Sequence, residues 1–335
     1  MNLFLVTSPF QYICALEAKR EYACQNNILL LVDQDSEPGI SQQGKLLDQN
    51  EWDYIIQIPR TNRSKQVPIA IKKVKKICKD KFINYFFHAE YNAWRTKLIL
   101  KNLIVNTEVY FDDGTLTINE YEEEIRPKST YFRPRFIQDI MIRLNGLKPI
   151  GKLEQSSNLE IFTIFDIPNP EHVIIKNSLS VLKDRFKITN LFNPNAPIGF
   201  IGQGAIGHKR RKTIDEYVNE IKHFVETYSK PIIYFPHRTE TEEIKNRILE
   251  IPNVTYHYSE FPLEIELIDK KIMLSGLVGV LSTVQYTASL LYTGMPVYNL
   301  SSPHISENTL IKDREQRIKK AFEKIGVIET KTIKI

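Results

Sequence analysis

Short, fully apolar runs separated by stretches of helical periodicity set the frame of this chain. LFLV (3–6) is followed by an amphipathic stretch from about Gln11 to Cys24, and then by ILLLV (28–32). A strand that is apolar at every position is buried on both faces, and a helical crossover between two such strands makes them parallel. The opening is therefore read as a βαβ unit of a doubly wound sheet. No basic residue precedes the first apolar run and Ser8-Pro9 ends it, so it reads as strand, loop and helix rather than a signal peptide. No other stretch approaches the roughly 18 uninterrupted apolar residues of a membrane span.

Further strands are expected at YIIQI (54–58), INYFF (83–87) and VYF (109–111). The middle, about 115–160, is charged and irregular, with Glu122-Glu123-Glu124 and the basic RPKSTYFRPR. After FTIF (162–165) the turn-rich NLFNPNAP marks a boundary near 190–196. A second alternating series follows: IGFIG (198–202), PIIYF (231–235), VTYHY (254–258), LVGVLS (277–282) and PVYNL (296–300), with helices between them. With 335 residues, 42% hydrophobic and 25% charged, the chain accommodates two such units and is neither disordered nor a disulfide-stapled mini-protein. The expected architecture is α/β of the GT-B kind, two Rossmann-like domains with a ligand cleft between the carboxyl ends of their sheets. The expected divisions are 1–195, 196–305 and a C-terminal helix and tail, 306–335, packing back on the first domain. Three scattered cysteines, Cys14, Cys24 and Cys78, have no metal-ligand spacing and fit reduced thiols in the cytoplasm.

The candidate chemistry sits where strands end. Tyr110-Phe111-Asp112-Asp113-Gly114 stops an apolar strand at two carboxylates, either of which could accept a proton from an attacking hydroxyl; the same residues also make an ordinary strand-ending turn. Tyr234-Phe235-Pro236-His237-Arg238 delivers an imidazole that could protonate or hydrogen-bond a leaving phosphate, with Arg238 to neutralise it. Ser282 and Thr283 open a helix, where hydroxyls and backbone amides suit a phosphate or carboxylate, and where plain N-capping also accounts for them. Gly202-Gln203-Gly204 lets backbone approach a ligand but lacks the GxGxxG spacing. The Thr7-Ser8-Pro9 loop belongs to the same class.

With those residues in view, the sequence resembles bacterial sialyltransferases of the GT-B type, the group of lipooligosaccharide sialyltransferases and capsular polysialyltransferases. The likeness runs through LFLVTSPFQ and the following ALEA, FDDG, GFIGQ, YFPH, FPLEIEL and LSTVQYTASLLYTGMPVYNL. It implies transfer of sialic acid from CMP-sialic acid to a hydroxyl of a cell-surface glycan, with inversion and without a metal or other cofactor. By position it implies Asp112 or Asp113 as the base, with Asp112 preferred, His237 as the acid facing the CMP phosphate, and Ser282 with Thr283 on the phosphate or sialic-acid carboxylate. Gly202, Gln203 and Arg238 are expected on the donor side and Glu264 on the ribose hydroxyls, while Ser8, Gln11 and Trp94 are expected on the acceptor side. One departure is visible: proline precedes His237 here, where the family's motif has it following the histidine.

The formal charge of +5 conceals a dense segment. From Arg60 to Phe82 nine basic residues face Asp80 alone, and Ile69, Ile71, Val74, Ile77 and Cys78 recur among them at helical spacing. Such a helix is a solvated face, or a contact for anionic lipid or an anionic acceptor glycan, and the C-terminal KDREQRIKKAFEKIG repeats the pattern more mildly. The expected location is the cytoplasm, with these segments offering peripheral attachment to the inner face of its membrane. No nucleic-acid motif accompanies the lysines. The rival functions are a GT-B transferase or epimerase using CMP-Kdo or a UDP-sugar, and a non-catalytic basic protein of the same fold associated with a membrane.

Overall fold

In the computed structural model, which describes residues 1–79, 81–187, 190–208, 212–301 and 309–331, the first apolar run is strand β1 (Asn2–Val6), buried at every position. Asp80, the acid expected within the basic segment, lies outside the described residues. The chain divides into two units, Met1–Val181 and Leu182–Ile335, so the division falls ahead of the turn-rich segment where it was expected.

The first unit carries β1, β2 (Asn27–Val32), β3 (Tyr54–Ile58), β4 (Ile83–His88), β5 (Val105–Phe111), β6 (Leu159–Thr163) and β7 (Val173–Lys176) in the order β3-β2-β1-β4-β5-β6-β7. Every neighbouring pair is parallel. Its helices are α1 (Pro9–Glu21), α2 (Gly39–Leu46), α3 (Arg63–Cys78), α4 (Trp94–Asn102), α5 (Leu116–Glu120) and α6 (Phe136–Leu144), and α7 (Ser180–Phe186) follows the last strand. Side chains of β1 alternate between two cores, as the two-residue period of a strand requires. Leu3 and Leu5 meet α3 and α4 through Ile71, Val74 and Leu98, while Phe4 and Val6 meet α1 through Cys14, Ala15 and Ala18. The basic segment folds as expected, α3 burying Val67, Ile71, Val74 and Cys78.

The second unit has β8 (Ile198–Ile201), β9 (Ile232–Phe235), β10 (Val254–Tyr256), β11 (Gly276–Gly279), β12 (Val297–Ser301) and β13 (Ile328–Lys331), ordered β10-β9-β8-β11-β12-β13 and again all parallel. Helices α8 (Ile214–Tyr228), α9 (Glu242–Leu249), α10 (Leu263–Asp269), α11 (Thr283–Leu291) and α12 (Thr309–Lys324) connect them. Thr213 and Glu216 close a capping box at the start of α8. The C-terminal segment contributes to the second unit: β13 pairs with β12, and Phe322 of α12 packs on Tyr286 of α11 with ring centroids 5.8 Å apart. Pairing of β13 satisfies backbone groups that an edge strand leaves open.

Three further departures bear on the site. Trp94, expected on the acceptor side, is the first residue of α4 and packs, partly buried, against the first core. The middle is not irregular throughout, because α5 continues through a π-helical turn at Tyr121–Ile125 and α6 follows. β7 is a strand the sequence reading passes over. In each unit the strand order reverses direction once, between β1 and β4 and between β8 and β11, and these switch points open crevices at the carboxyl ends of a doubly wound sheet.

Candidate functional site

At the carboxyl edge of the first sheet, β1, β4 and β5 end beside one another. Ser8 caps α1, its hydroxyl accepting from the Gln11 N–H at 3.3 Å, and Pro9 occupies the first turn where its missing N–H costs nothing. This cap turns Gln11 back over the end of β1. Gln11 Oε1 accepts from the Thr7 backbone N–H at 2.8 Å, an obligate donor that fixes the orientation of the amide. Gln11 Nε2 therefore points the other way and donates to Asp113 Oδ1 at 2.8 Å.

The two adjacent carboxylates differ in kind. Asp112 is 0% exposed. Its Oδ1 accepts from Thr163 Oγ1 at 2.6 Å and its Oδ2 from the Ile164 N–H at 2.7 Å, tying the end of β5 to β6. Burial pushes its carboxyl up to about 7, against the pull of those hydrogen bonds. Asp113 is half-exposed, with its backbone N–H donating to Thr117 Oγ1 at 3.0 Å. Of the two, Asp113 has solvent access, whereas Asp112, the one preferred as the base, has none.

Sequence reasoning missed the groups around Gln11. The Thr7 hydroxyl lies 3.0 Å from Glu90 Oε1, Arg95 Nε donates to Glu90 Oε2 at 3.0 Å, and Arg60 Nη2 donates to the Thr7 carbonyl at 2.9 Å. Burial pulls the Arg95 guanidinium below its usual range, as do Arg63 and Arg60 nearby, while Glu90 pulls upward. The only available signal was position, since Glu90 and Arg60 each follow a strand by two residues.

At the carboxyl edge of the second sheet, β8 ends in Gly202-Gln203-Gly204 and β9 in Pro236-His237-Arg238. The two loops pack together. A Cβ on Gly202 would lie 2.8 Å from the His237 backbone N and 2.7 Å from the Tyr234 hydroxyl, and one on Gly204 would lie 2.7 Å from His237 Cε1. Both glycines are therefore required by close approach. His237 is half-buried, and its Nδ1 accepts from the Thr239 backbone N–H at 3.2 Å with the Thr239 hydroxyl 2.8 Å away. Because that N–H can only donate, Nδ1 carries no proton and Nε2 bears the ring hydrogen. Burial, followed by Arg238, pulls the imidazole below its ordinary value. His237 is a neutral Nε2–H donor at neutral pH, and Arg238 is exposed.

A buried tyrosine relay supports these loops. The Gln203 N–H donates to Tyr217 Oη at 3.1 Å, Tyr217 and Tyr234 hydroxyls are 2.9 Å apart, and Tyr234 and Tyr256 both donate to the Glu240 carboxylate, whose own N–H holds the His237 carbonyl at 2.8 Å. Ser282 caps α11 in a box with Gln285, accepting from the Val284 N–H at 3.3 Å while Gln285 Oε1 accepts from the Ser282 N–H at 2.7 Å. The capping account of Ser282 is thus realised, with Thr283 the first residue of the helix. The turn before it holds Leu281 at φ +46, a left-handed conformation costly for leucine, fastened by its N–H to Asn299 Oδ1 at 2.8 Å. Glu264, in the first turn of α10, is 7% exposed, and burial pushes its carboxyl up to about 7. Among the described residues no group of three or more His, Cys, Asp and Glu side chains is placed to hold a metal ion, and no helix is long and apolar enough to cross a membrane.

No protein-family model matches the chain, and no curated protein matches it. Among solved structures the chain is similar to UDP-GlcNAc 2-epimerase from Neisseria meningitidis, at 14% identity and a TM-score of 0.56 over 98% of this chain and 95% of that one. It is also similar to an α/β-galactoside α-2,3-sialyltransferase from Photobacterium phosphoreum, at 12% identity and a TM-score of 0.50 over 98% and 97% of the two chains. At these identities the likeness establishes the fold, two Rossmann-like parallel-sheet units of the GT-B kind.

Proposed function

We propose that this protein is an inverting glycosyltransferase that moves sialic acid from CMP-sialic acid to a sugar hydroxyl of a cell-surface glycan, lipooligosaccharide or capsule. The observation that carries this reading is the His237 imidazole, fixed at Nδ1 by the Thr239 N–H, packed against a glycine loop and flanked by Arg238. That is the equipment a departing phosphate needs: a hydrogen-bond donor, a cation and close backbone. The motif resemblance and the fold support it, the latter being shared by a sialyltransferase.

In this reading Asp113, aimed by Gln11, accepts the proton of the acceptor hydroxyl as its oxygen attacks the anomeric carbon. The bond from that carbon to the CMP phosphate breaks, its electron pair stays on the phosphate oxygen, and His237 Nε2–H donates a hydrogen bond to the developing charge. CMP is a good leaving group, so donation from a neutral imidazole serves where full proton transfer is unnecessary. Asp112 acts as a positioning residue, fixing the end of β5 through Thr163 and Ile164. Glu264 binds the ribose hydroxyls, Ser282 and Thr283 present hydroxyl groups to the phosphate or sialic-acid carboxylate, and Gly202 and Gln203 form the loop beside His237 on the donor side. No step calls for a metal.

A donor screen with the purified chain tests this, reading nucleotide release with and without a sugar acceptor and EDTA. CMP release from CMP-sialic acid, unchanged by EDTA and lost in Asp113→Ala and His237→Ala, is the expected result. Release from UDP-sugars or CMP-Kdo alone would replace the donor. A requirement for metal would overturn the mechanism.

A further inference from the structure

Helix α6 is amphipathic in the wrong sense for a helix that only covers a sheet. At about 100° per residue, Phe136, Ile137, Ile140, Met141 and Leu144 occupy one continuous arc of about 140°. This arc faces solvent: Phe136 is 82% exposed, Ile137 75% and Leu144 83%. Ile142 lies on the opposite side and is fully buried in the first core with Tyr131 and Leu147. The preceding Phe132 is exposed too, extending the apolar surface beyond the helix.

The helix is nevertheless firmly seated. Tyr131 and Leu153 exchange backbone hydrogen bonds of 2.9 and 3.0 Å just ahead of it, and Lys72 Nζ of α3 donates to Asn145 Oδ1 at 3.4 Å just after it. A soluble monomer has no use for a rigid helix presenting its apolar stripe outward, and a patch of this kind marks an interaction surface.

The surroundings specify the partner. From Lys128 to Lys152 the sequence carries Arg133, Arg135, Arg143 and Lys148 besides those two lysines, against Asp139 alone. Arg133, Arg135, Arg143 and Lys148 are exposed, and the adjoining helix α3 adds exposed Lys65, Lys72, Lys73, Lys76 and Lys79. A second copy of this chain would bring two positive rims together and be repelled. An anionic lipid bilayer offers an apolar layer for the stripe and negative headgroups for the rim.

We propose that α6 is an interfacial helix that docks the protein on an anionic membrane, with the stripe Phe136, Ile137, Ile140, Met141 and Leu144 buried among acyl chains and the basic residues around it on the headgroups. This surface belongs to the first unit and is independent of which nucleotide sugar the protein uses. It differs from the expected attachment through α3 alone, since α3 supplies only charge while α6 supplies the apolar anchor.

Flotation of the full chain with vesicles tests the proposal, comparing phosphatidylcholine alone with phosphatidylcholine mixed with phosphatidylglycerol. The protein is expected to float with the mixed vesicles, and less as salt is raised. The double variant Phe136→Ser/Leu144→Ser is expected to lose at least about tenfold in partitioning with an unchanged melting temperature, because neither side chain contributes to the core. Lys72→Glu/Arg143→Glu is expected to lose about tenfold or more on mixed vesicles. Equal flotation of the Phe136/Leu144 variant, or no flotation of the wild type on either vesicle, overturns the proposal. A dimer abolished by the same substitutions, without vesicle binding, assigns the stripe to self-association and overturns it as well.

Discussion

Gln11 Nε2 and Asp113 Oδ1, 102 residues apart in sequence, are joined by a 2.8 Å hydrogen bond in which the amide can only donate. The Thr7 backbone N–H on the other end of that amide dictates this polarity. The side chain that aims the proposed base is thus fastened to the end of β1, with β4 between it and β5, and its own accuracy depends on the Ser8 cap that starts α1.

Replacing Gln11 by Leu keeps its volume but removes the donor. Turnover is expected to fall by about one to two orders of magnitude, since a loosened base samples unproductive orientations. Steady-state rates at saturating donor check this, and an unchanged kcat would remove Gln11 from the machinery.

Neighbouring aspartates should separate by phenotype. Asp113→Asn is expected to cut turnover by about 10²–10⁴-fold with little change in melting temperature. Asp112→Ala leaves the Thr163 hydroxyl and the Ile164 N–H without their buried acceptor and is expected to cost about 1–3 kcal/mol of stability. Thermal unfolding and initial rates measured on both variants would show the opposite pattern if Asp112 were the base.

For His237, hydrogen-bond donation and full proton transfer predict different substitutions. Gln also offers an N–H, so His237→Gln is expected to retain at least about tenfold more activity than His237→Ala. The imidazole is already held below its ordinary value, so the native state binds fewer protons than the unfolded chain as pH falls below the ordinary histidine value of 6.5. Activity through this residue is expected to stay flat as pH rises through the lowered value, because the neutral ring still donates from Nε2–H. Activity lost as pH rises through that lowered value would instead assign the imidazolium as the acid.

Gly202→Ala places a methyl group 2.8 Å from the His237 backbone N and 2.9 Å from the Phe235 carbonyl oxygen, neither of which can rotate away. The expected cost is about 1–3 kcal/mol together with a raised donor KM. Calorimetry with the donor kinetics checks both, and an unaffected KM would detach this loop from donor binding.

Glu264 carries the sign for a pH effect on stability. Its carboxyl is raised from 4.5 to about 7 by burial, so between these values the folded state keeps a proton that the unfolded state has lost. Its contribution falls as pH rises from about 4.5 and levels off above about 7, by up to about 3 kcal/mol. Asp112 and Glu120, also raised to about 7, act in the same direction. Glu264→Gln is expected to gain stability relative to wild type as pH rises over this interval, and parallel melting curves for the two proteins would contradict it.

The alternation of apolar strands and amphipathic helices was legible because a parallel strand covered on both faces has no polar position to interrupt it, as β1 and β2 show. Strand-end placement followed from the same logic, since Asp112 and His237 each lie just past the end of a strand. The capping account of Ser282 was also readable locally, since a serine followed three residues later by glutamine forms the box on its own.

Other features depend on what lies across the fold. α6 was obscured because Pro127, Pro134 and a run of charges flank it, and its seat on the core rests largely on the single buried face of Ile142. Trp94 joins the first core only through the fold, since α4 starts at this residue and sets it, partly buried, against that core. The two aspartates show the reason most directly. Consecutive residues at a strand's end point to opposite sides, so the sequence determined that one of Asp112 and Asp113 would face inward. Which one was decided only when β6 brought Thr163 and Ile164 to Asp112, and α1 brought Gln11 to Asp113.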